Sequence, residues 1–343
     1  VRAYGRGKLL ALAVGVLAAA TACTGPAQTS PAVTQGKAGA TGAASPSPSA
    51  PPPAVTRQEA AEAVAEILPT DDVLRVESPV TGRLLLGTDL VRDGQLALTQ
   101  AAFESTGDRP PRYAWGSPTL YVPRFAQGER APWFSALATR NGQPTLLTFA
   151  KSGDDWLLSS AAQLLPGQEL PRVRLDADGY ATALTPDDKT VTISPQYMGP
   201  VHASVAETGS AGVTAGLLAD GPYTTDVARQ IATDRETAKK DGFSYDSIFS
   251  ADNWPVYALR TADGGALIQY SLSRNTSTRT VANNTYIIPV PPEASWAIST
   301  SSVRRSLKLT EVHQYATAVP PLSAPAAARV AAHDGALTRA SGE

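Results

Sequence analysis

Ala136-Leu137-Ala138-Thr139-Arg140-Asn141-Gly142 reads as a strand running into a tight turn, and much of it recurs as Ala258-Leu259-Arg260-Thr261-Ala262-Asp263-Gly264, an offset of 122 residues. Asn-Gly and Asp-Gly supply the left-handed backbone that a hairpin turn demands. A further β segment follows each copy, Leu146–Phe149 in the first and Leu267–Tyr270 in the second. Two helical patterns precede each. This order predicts an α+β fold made of two similar units in tandem, each with two helices followed by an antiparallel sheet.

The first unit is read over residues 56–168. Thr56-Arg57-Gln58-Glu59 fits a capping box, in which the Thr56 hydroxyl takes the third helical amide. Ala60, Val64, Ile67 and Leu68 then share one face, and Pro69 is the expected stop. A second helix is expected from Gln95 to Ser105, closed by Gly107. The β segments Thr119–Phe125, Trp133–Thr139, Thr145–Lys151 and Trp156–Leu164 follow. A β connector, residues 169–193, carries a hairpin signal at Asp176-Ala177-Asp178-Gly179 and a short strand at Thr190–Ile193. The second unit is read over 194–319. Its helices run from Ser194-Pro195 to Glu207 and over Thr225–Lys240, and its strands over Pro255–Thr261, Ala266–Ser273 and Leu307–Ala316. The Ala- and Pro-rich tail, 320–343, is expected to be flexible, with at most a short helix over Ala326–His333.

The first eight residues carry Arg2, Arg6 and Lys8 and no acid, and residues 9–22 carry no charge. That is the pattern of a secretory signal, and its 14-residue apolar run is shorter than the roughly 20 residues a spanning helix needs. The chain starts on Val1, as a GTG start codon read literally would give. Thr21-Ala22-Cys23 closes the segment, with cleavage expected between Ala22 and Cys23, the sole cysteine. Residues 24–55 hold one charge, Lys37, and no apolar side chain larger than valine. Such a stretch cannot bury enough surface to offset its ordering entropy, so 23–55 is expected to be a Pro-stiffened tether.

Across the whole chain 29 basic residues face 31 acidic ones, and loss of the leader leaves 26 basic. There is no basic stripe, so nucleic-acid binding has no electrostatic support. The sequence marks no catalytic constellation. His202, His313 and His333 have no metal-ligand neighbour two to four residues further along the chain, and no nucleophile elbow or phosphate loop is present. No cofactor is expected. Asp176-Ala177-Asp178-Gly179 resembles part of a calcium loop but lacks the further ligands and closing Glu, so a turn is expected. The aromatic residues are more suggestive. Tyr121 and Trp133 in the first half, and Trp254 and Tyr257 in the second, are candidates for lining a pocket.

Thr21-Ala22-Cys23 resembles the lipobox of bacterial lipoproteins, with Ala20 where that family usually has Leu. The resemblance implies a diacylglyceryl group on the Cys23 sulfur, cleavage before it, and palmitate-type acyl chains that hold the protein to the extracytoplasmic face of the plasma membrane. Tyr121-Val122-Pro123-Arg124-Phe125, Pro132-Trp133-Phe134, Asp176–Tyr180 and Pro255–Gly265 are similar to segments of uncharacterised actinobacterial lipoproteins with a domain of unknown function. The order of elements is similar to nuclear-transport-factor-2-like and cystatin-like units. Together these readings point to an envelope binding or interaction module, with the membrane and an unidentified protein or small molecule as partners. A hydrolase or isomerase with a small polar site in such a pocket, and a structural spacer or assembly factor, are the alternatives.

Overall fold

The computed structural model describes residues 52–76, 82–281 and 286–343. The signal segment, Ala22, Cys23 and residues 24–51 of the expected tether lie outside the described residues. Its last residues are not a tether: the Ala54 amide donates to the Phe125 carbonyl at 2.9 Å and Val55 is fully buried against α1, because Val55 finds an apolar site that the preceding Pro/Ser-rich run has no side chain to fill.

Helix α1 (Arg57–Leu74) starts as the capping box requires, with the Glu59 amide donating to Thr56 Oγ1 at 3.0 Å. Its buried stripe is Ala60, Ala63, Val64, Ile67 and Leu68. Pro69 does not end it. The helix runs one turn further, and that turn is anchored by the buried pair Asp71–Arg75 at 2.8 Å, with the Arg75 guanidinium 4.1 Å from the Tyr113 ring centroid. A charge pair and a cation–π contact offset the backbone bond that proline forfeits. Helices α2 (Arg83–Thr88) and α3 (Asp93–Ser105) follow, then β1 (Thr119–Tyr121), β2 (Trp133–Arg140), β3 (Gln143–Ser152) and β4 (Asp155–Leu164). The second half contributes α4 (Met198–Thr208), α5 (Thr225–Lys240), β5 (Phe243–Ser250), β6 (Tyr257–Arg260) and β7 (Ala266–Thr280). A two-stranded ribbon, β8 (Ile288–Pro289) with β9 (Ser302–Val303), precedes β10 (Ser306–Val319) and β11 (Arg329–Gly342).

The two halves share one sheet. Its strands are antiparallel and run β1-β2-β3-β4-β11-β10-β7-β5, with β6 beside the first part of β7. The expected flexible tail is strand β11, and it joins the halves. It pairs along its length with β10 and, through Ala332 and His333, with Leu164 and Gln163 of β4. Ala328, Ala331 and Ala332 are fully buried. Alanine favours helix in isolation, but tertiary pairing on both edges overrides that weak preference.

Alternation along the strands sorts the core into layers. Phe134, Ala136, Leu147 and Phe149 face outward in the first half, under α1. Ala258, Ile268, Tyr270, Leu272 and Tyr315 face outward in the second, under α4 and α5. The opposite faces meet in a third cluster without any helical residue, made of Trp133, Leu146, Ala150, Ala162, Tyr257, Leu259, Leu267, Ala316 and Ala332. The sheet is therefore bent on itself, with helices outside each arm. The repeated segments occupy equivalent places. Ala136 and Ala258 point out, while Leu137 and Leu259 pair with Leu146 and Leu267 across their hairpins.

Beyond Gln163 and His333 the strands β4 and β11 part, and a side chain takes the place of a strand. Gln314 of β10 accepts from the Ala161 amide at 2.8 Å and donates to the Ser159 carbonyl at 3.2 Å. Gln314 is fully buried. Gln314→Leu would leave an amide and a carbonyl unpaired in the interior, at about 1–3 kcal/mol each. Urea denaturation of this variant is expected to show a loss on the order of 2–4 kcal/mol, whereas an exposed substitution such as Lys308→Gln is expected to stay within about 0.5 kcal/mol.

Candidate functional site

The connector meets both halves at one place. The Asp176–Gly179 turn is closed by bonds from the Asp178 and Tyr180 amides to Asp176 Oδ1, both at 2.9 Å. Its two carboxylates are taken by Arg124, at 2.7 Å from Asp176 and 2.6 Å from Asp178. Arg124 lowers the Asp176 pKa, and the turn is a charge-fixed loop. The returning strand of the hairpin bridges to Pro123 through Ala181 and to Leu259 of β6 through Ala183. Between these segments lies a cleft of about 590 Å³. Phe125, Trp133, Leu184 and Val256 are apolar walls, and Arg124 and Glu129 are charged ones.

Of the four aromatic candidates only Trp133 lines this cleft, and Tyr121 and Tyr257 pack with it in the core cluster behind. Trp133 stands edge-on to Phe125 with centroids 5.9 Å apart, and lies 5.2 Å from the Tyr257 ring. Tyr121 packs against the same cluster, where burial raises its hydroxyl pKa. Tyr257 sits one layer behind, turned into the core. Trp254 is half-buried and does not line the cleft. Behind Tyr257 is a polar junction. Its hydroxyl lies 2.9 Å from Ser159 Oγ, which donates to Asp93 Oδ2 at 2.6 Å, and Arg92 Nε completes the set at 2.8 Å. Asp93 holds a left-handed backbone (φ 53°), a strained geometry for a non-glycine. Burial raises the Tyr257 pKa, so this hydroxyl stays protonated, and none of the four residues borders the cleft. The junction ties the halves together.

A second assembly was not legible in the sequence. His202, His313 and His333 stand on α4, β10 and β11, and the fold brings them together around Tyr315. Tyr315 lies 4.3 Å from the His202 ring, 6.1 Å from His313 and 4.9 Å from His333. His202 bridges the Tyr270 hydroxyl and the Tyr223 carbonyl, both at 2.7 Å. His313 Nδ1 and His333 Nε2 are 3.0 Å apart, so one of these nitrogens donates and the other accepts. Tyr223 stacks on His333 at 3.9 Å and borders a second cleft of about 420 Å³. No metal chemistry follows from the cluster: among the described residues no group of three potential ligands converges on a point. Nor, among them, is any helix long and apolar enough to cross a membrane.

Burial holds His202 and His313 down to about 4 and His333 to about 3, with the Arg274 charge also acting on His313. In the unfolded chain these rings protonate near 6.5. Their stabilising contribution is therefore complete above about pH 7 and is lost as pH falls from 6.5 toward 4. Denaturant midpoints are expected to fall steeply between pH 7 and 5, with His202 alone worth on the order of 2 kcal/mol over that range. His202→Gln is expected to be less stable at pH 7 and to show a shallower slope. A slope equal to that of the parent would show that His202 is charged in the folded protein.

Comparison with known proteins bears out the resemblance to uncharacterised actinobacterial lipoproteins. No solved structure matches the chain. An uncharacterised lipoprotein of Streptomyces coelicolor is 31% identical over 272 residues, 74% of each chain. An uncharacterised lipoprotein of Streptomyces avermitilis is 28% identical over 196 residues, 55% of each. The model of a domain of unknown function, DUF8094, matches residues 51–342, which takes in both halves, the connector and strand β11. With that coverage, the chain belongs to the DUF8094 family of actinobacterial lipoproteins.

Proposed function

We propose that this protein is a lipid-anchored binding module on the extracytoplasmic face of the plasma membrane, and that it presents the junction cleft to an envelope ligand or partner. The observation that carries this reading is the cleft of about 590 Å³, walled by three separate segments and combining apolar Phe125, Trp133, Leu184 and Val256 with charged Arg124 and Glu129. Such a mixture is what small-molecule and peptide sites use. The lipobox-like Thr21-Ala22-Cys23 and the lipoprotein relatives support the anchor. Two or more acyl chains on one residue make attachment effectively permanent, since each buried methylene contributes about 0.8 kcal/mol. The finer likeness of each half to a nuclear-transport-factor-2-like or cystatin-like unit rests on the repeated hairpins and the helices outside each arm.

Cys23→Ser is expected to move the protein from the membrane fraction to the soluble fraction and to abolish incorporation of labelled fatty acid. Continued membrane attachment of that variant would remove the anchor. The same soluble full-length chain, exposed to solubilised envelope material, is expected to retain a component that is lost in Thr182→Trp, because Thr182 is exposed on the cleft wall. Turnover of an ester or glycoside panel without such retention would favour the hydrolase reading.

A further inference from the structure

The second cleft holds a cation with no paired carboxylate within 4.0 Å among the described residues. Arg329 opens strand β11 and is half-buried on the wall of the 420 Å³ cleft. Its guanidinium donates to Gln168 Oε1 and, at 3.3 Å, to the Glu169 carbonyl, both neutral acceptors. It forms no ion pair among the described residues. By contrast, Arg75, Arg124, Arg140 and Arg260 all face carboxylates. Two of the five guanidinium N–H groups are engaged, which leaves donors for a further acceptor.

The surroundings narrow the chemistry. Leu165, Pro166, Pro222 and Val330 give the cleft an apolar lining. Tyr223 adds a ring held rigid by stacking on His333, and its hydroxyl has no hydrogen-bond partner among the described residues. Thr224 begins the 16-residue helix α5, yet its hydroxyl donates away, to the Ala219 carbonyl at 2.8 Å, and no side chain caps the first amides. That helix end adds a modest positive potential on the same wall. Asp220 is the opposing charge, exposed at the rim. Glu169, whose carbonyl Arg329 contacts, is exposed and does not line the cleft. One half-buried cation facing a rim carboxylate favours a ligand with a single negative charge over a phosphate dianion, which would meet more repulsion than the one guanidinium offsets.

We propose that this cleft binds a monocarboxylate carried on an apolar body, with the carboxylate on Arg329 and the body between Tyr223, Leu165 and Val330. The site is separate from the junction cleft, and its failure would leave the binding reading of that cleft untouched.

The test uses the full-length Cys23→Ser chain and titration calorimetry with 3-phenylpropionate, its neutral amide and inorganic phosphate. The carboxylate is expected to bind at least tenfold more tightly than the amide, and phosphate more weakly than either. Arg329→Gln is expected to abolish the difference between acid and amide while leaving amide binding unchanged. Because Arg329 also braces the Gln168 loop, Asp220→Asn gives an independent reading on an exposed residue. It is expected to tighten carboxylate binding two- to fivefold and to leave the amide unaffected. Equal affinity for acid and amide, discrimination that survives in Arg329→Gln, phosphate binding as tight as the carboxylate, or an Asp220→Asn protein with unchanged carboxylate affinity would each overturn the assignment.

Discussion

The seam between β4 and β11 is the constraint on which the rest of the structure depends. Two residue pairs join the strands there, and beyond them the backbone of β4 would be left open inside the protein. Gln314 closes it with one amide group that both accepts from Ala161 and donates to Ser159. A glutamine can do this because its carbonyl and amide present the same donor–acceptor pair as a strand edge. The opening also admits α3. Gly94 stands so close to Ser271 and Gln314 that a Cβ would fall 2.7 Å from Ser271 Oγ. Sheet continuity, the position of α3 and the bend that apposes the two arms are thus one packing solution.

Apposed arms bring polar groups inward as well as apolar ones. Gln269 of β7 donates to Ser135 Oγ of β2 at 2.8 Å, and Ser135 lies 3.2 Å from Thr148. The Asp93–Ser159–Tyr257 set links α3 and β4 to β6. Each of these bonds needs its partner at one position on the facing arm, so a shift in register would leave buried polar groups unpaired. Gln269 Oε1 and Ser160 Oγ remain buried without partners. The chain has a single cysteine and hence no internal disulfide to supply that specificity.

Much of the scaffold was legible because local chemistry and tertiary structure agree. The capping box at Thr56, the Asn141-Gly142 turn and the strand pattern of Trp133–Thr139 each name their own conformation. Residues fared worse where long-range pairing decides. Pro69 reads as a stop, but a pair with Arg75 one turn on keeps the helix going. Ala326–His333 reads as helix or coil, yet two flanking strands make most of it β. Phe243–Ser250 alternates well enough for a strand but also carries Ser and Asp, and it acquires definition only from β7. The candidate sites divide in the same way. Trp133 lines a cleft, and its place beside a hairpin was readable from the sequence. The histidine cluster joins positions 202, 313 and 333, and no spacing rule reaches across 131 residues.

The two matching hairpins differ in one ring, and that difference bears on where the histidines gather. By hairpin register, Phe149 of β3 and Tyr270 of β7 are equivalent outward-facing positions. In the first half the site is filled by an apolar stack, Phe134 on Phe149 at 5.0 Å with Trp156 beside it at 4.8 Å. In the second half the ring carries a hydroxyl, and a buried hydroxyl needs partners. His202 and Thr317 supply them at 2.7 and 2.8 Å. His202 in turn needs an acceptor for its other nitrogen, and the Tyr223 carbonyl provides it. Tyr223 is thereby drawn against His333 and becomes the wall of the Arg329 cleft. One hydroxyl at a position matched by hairpin register thus propagates, bond by bond, into a surface feature absent from the first half among the described residues.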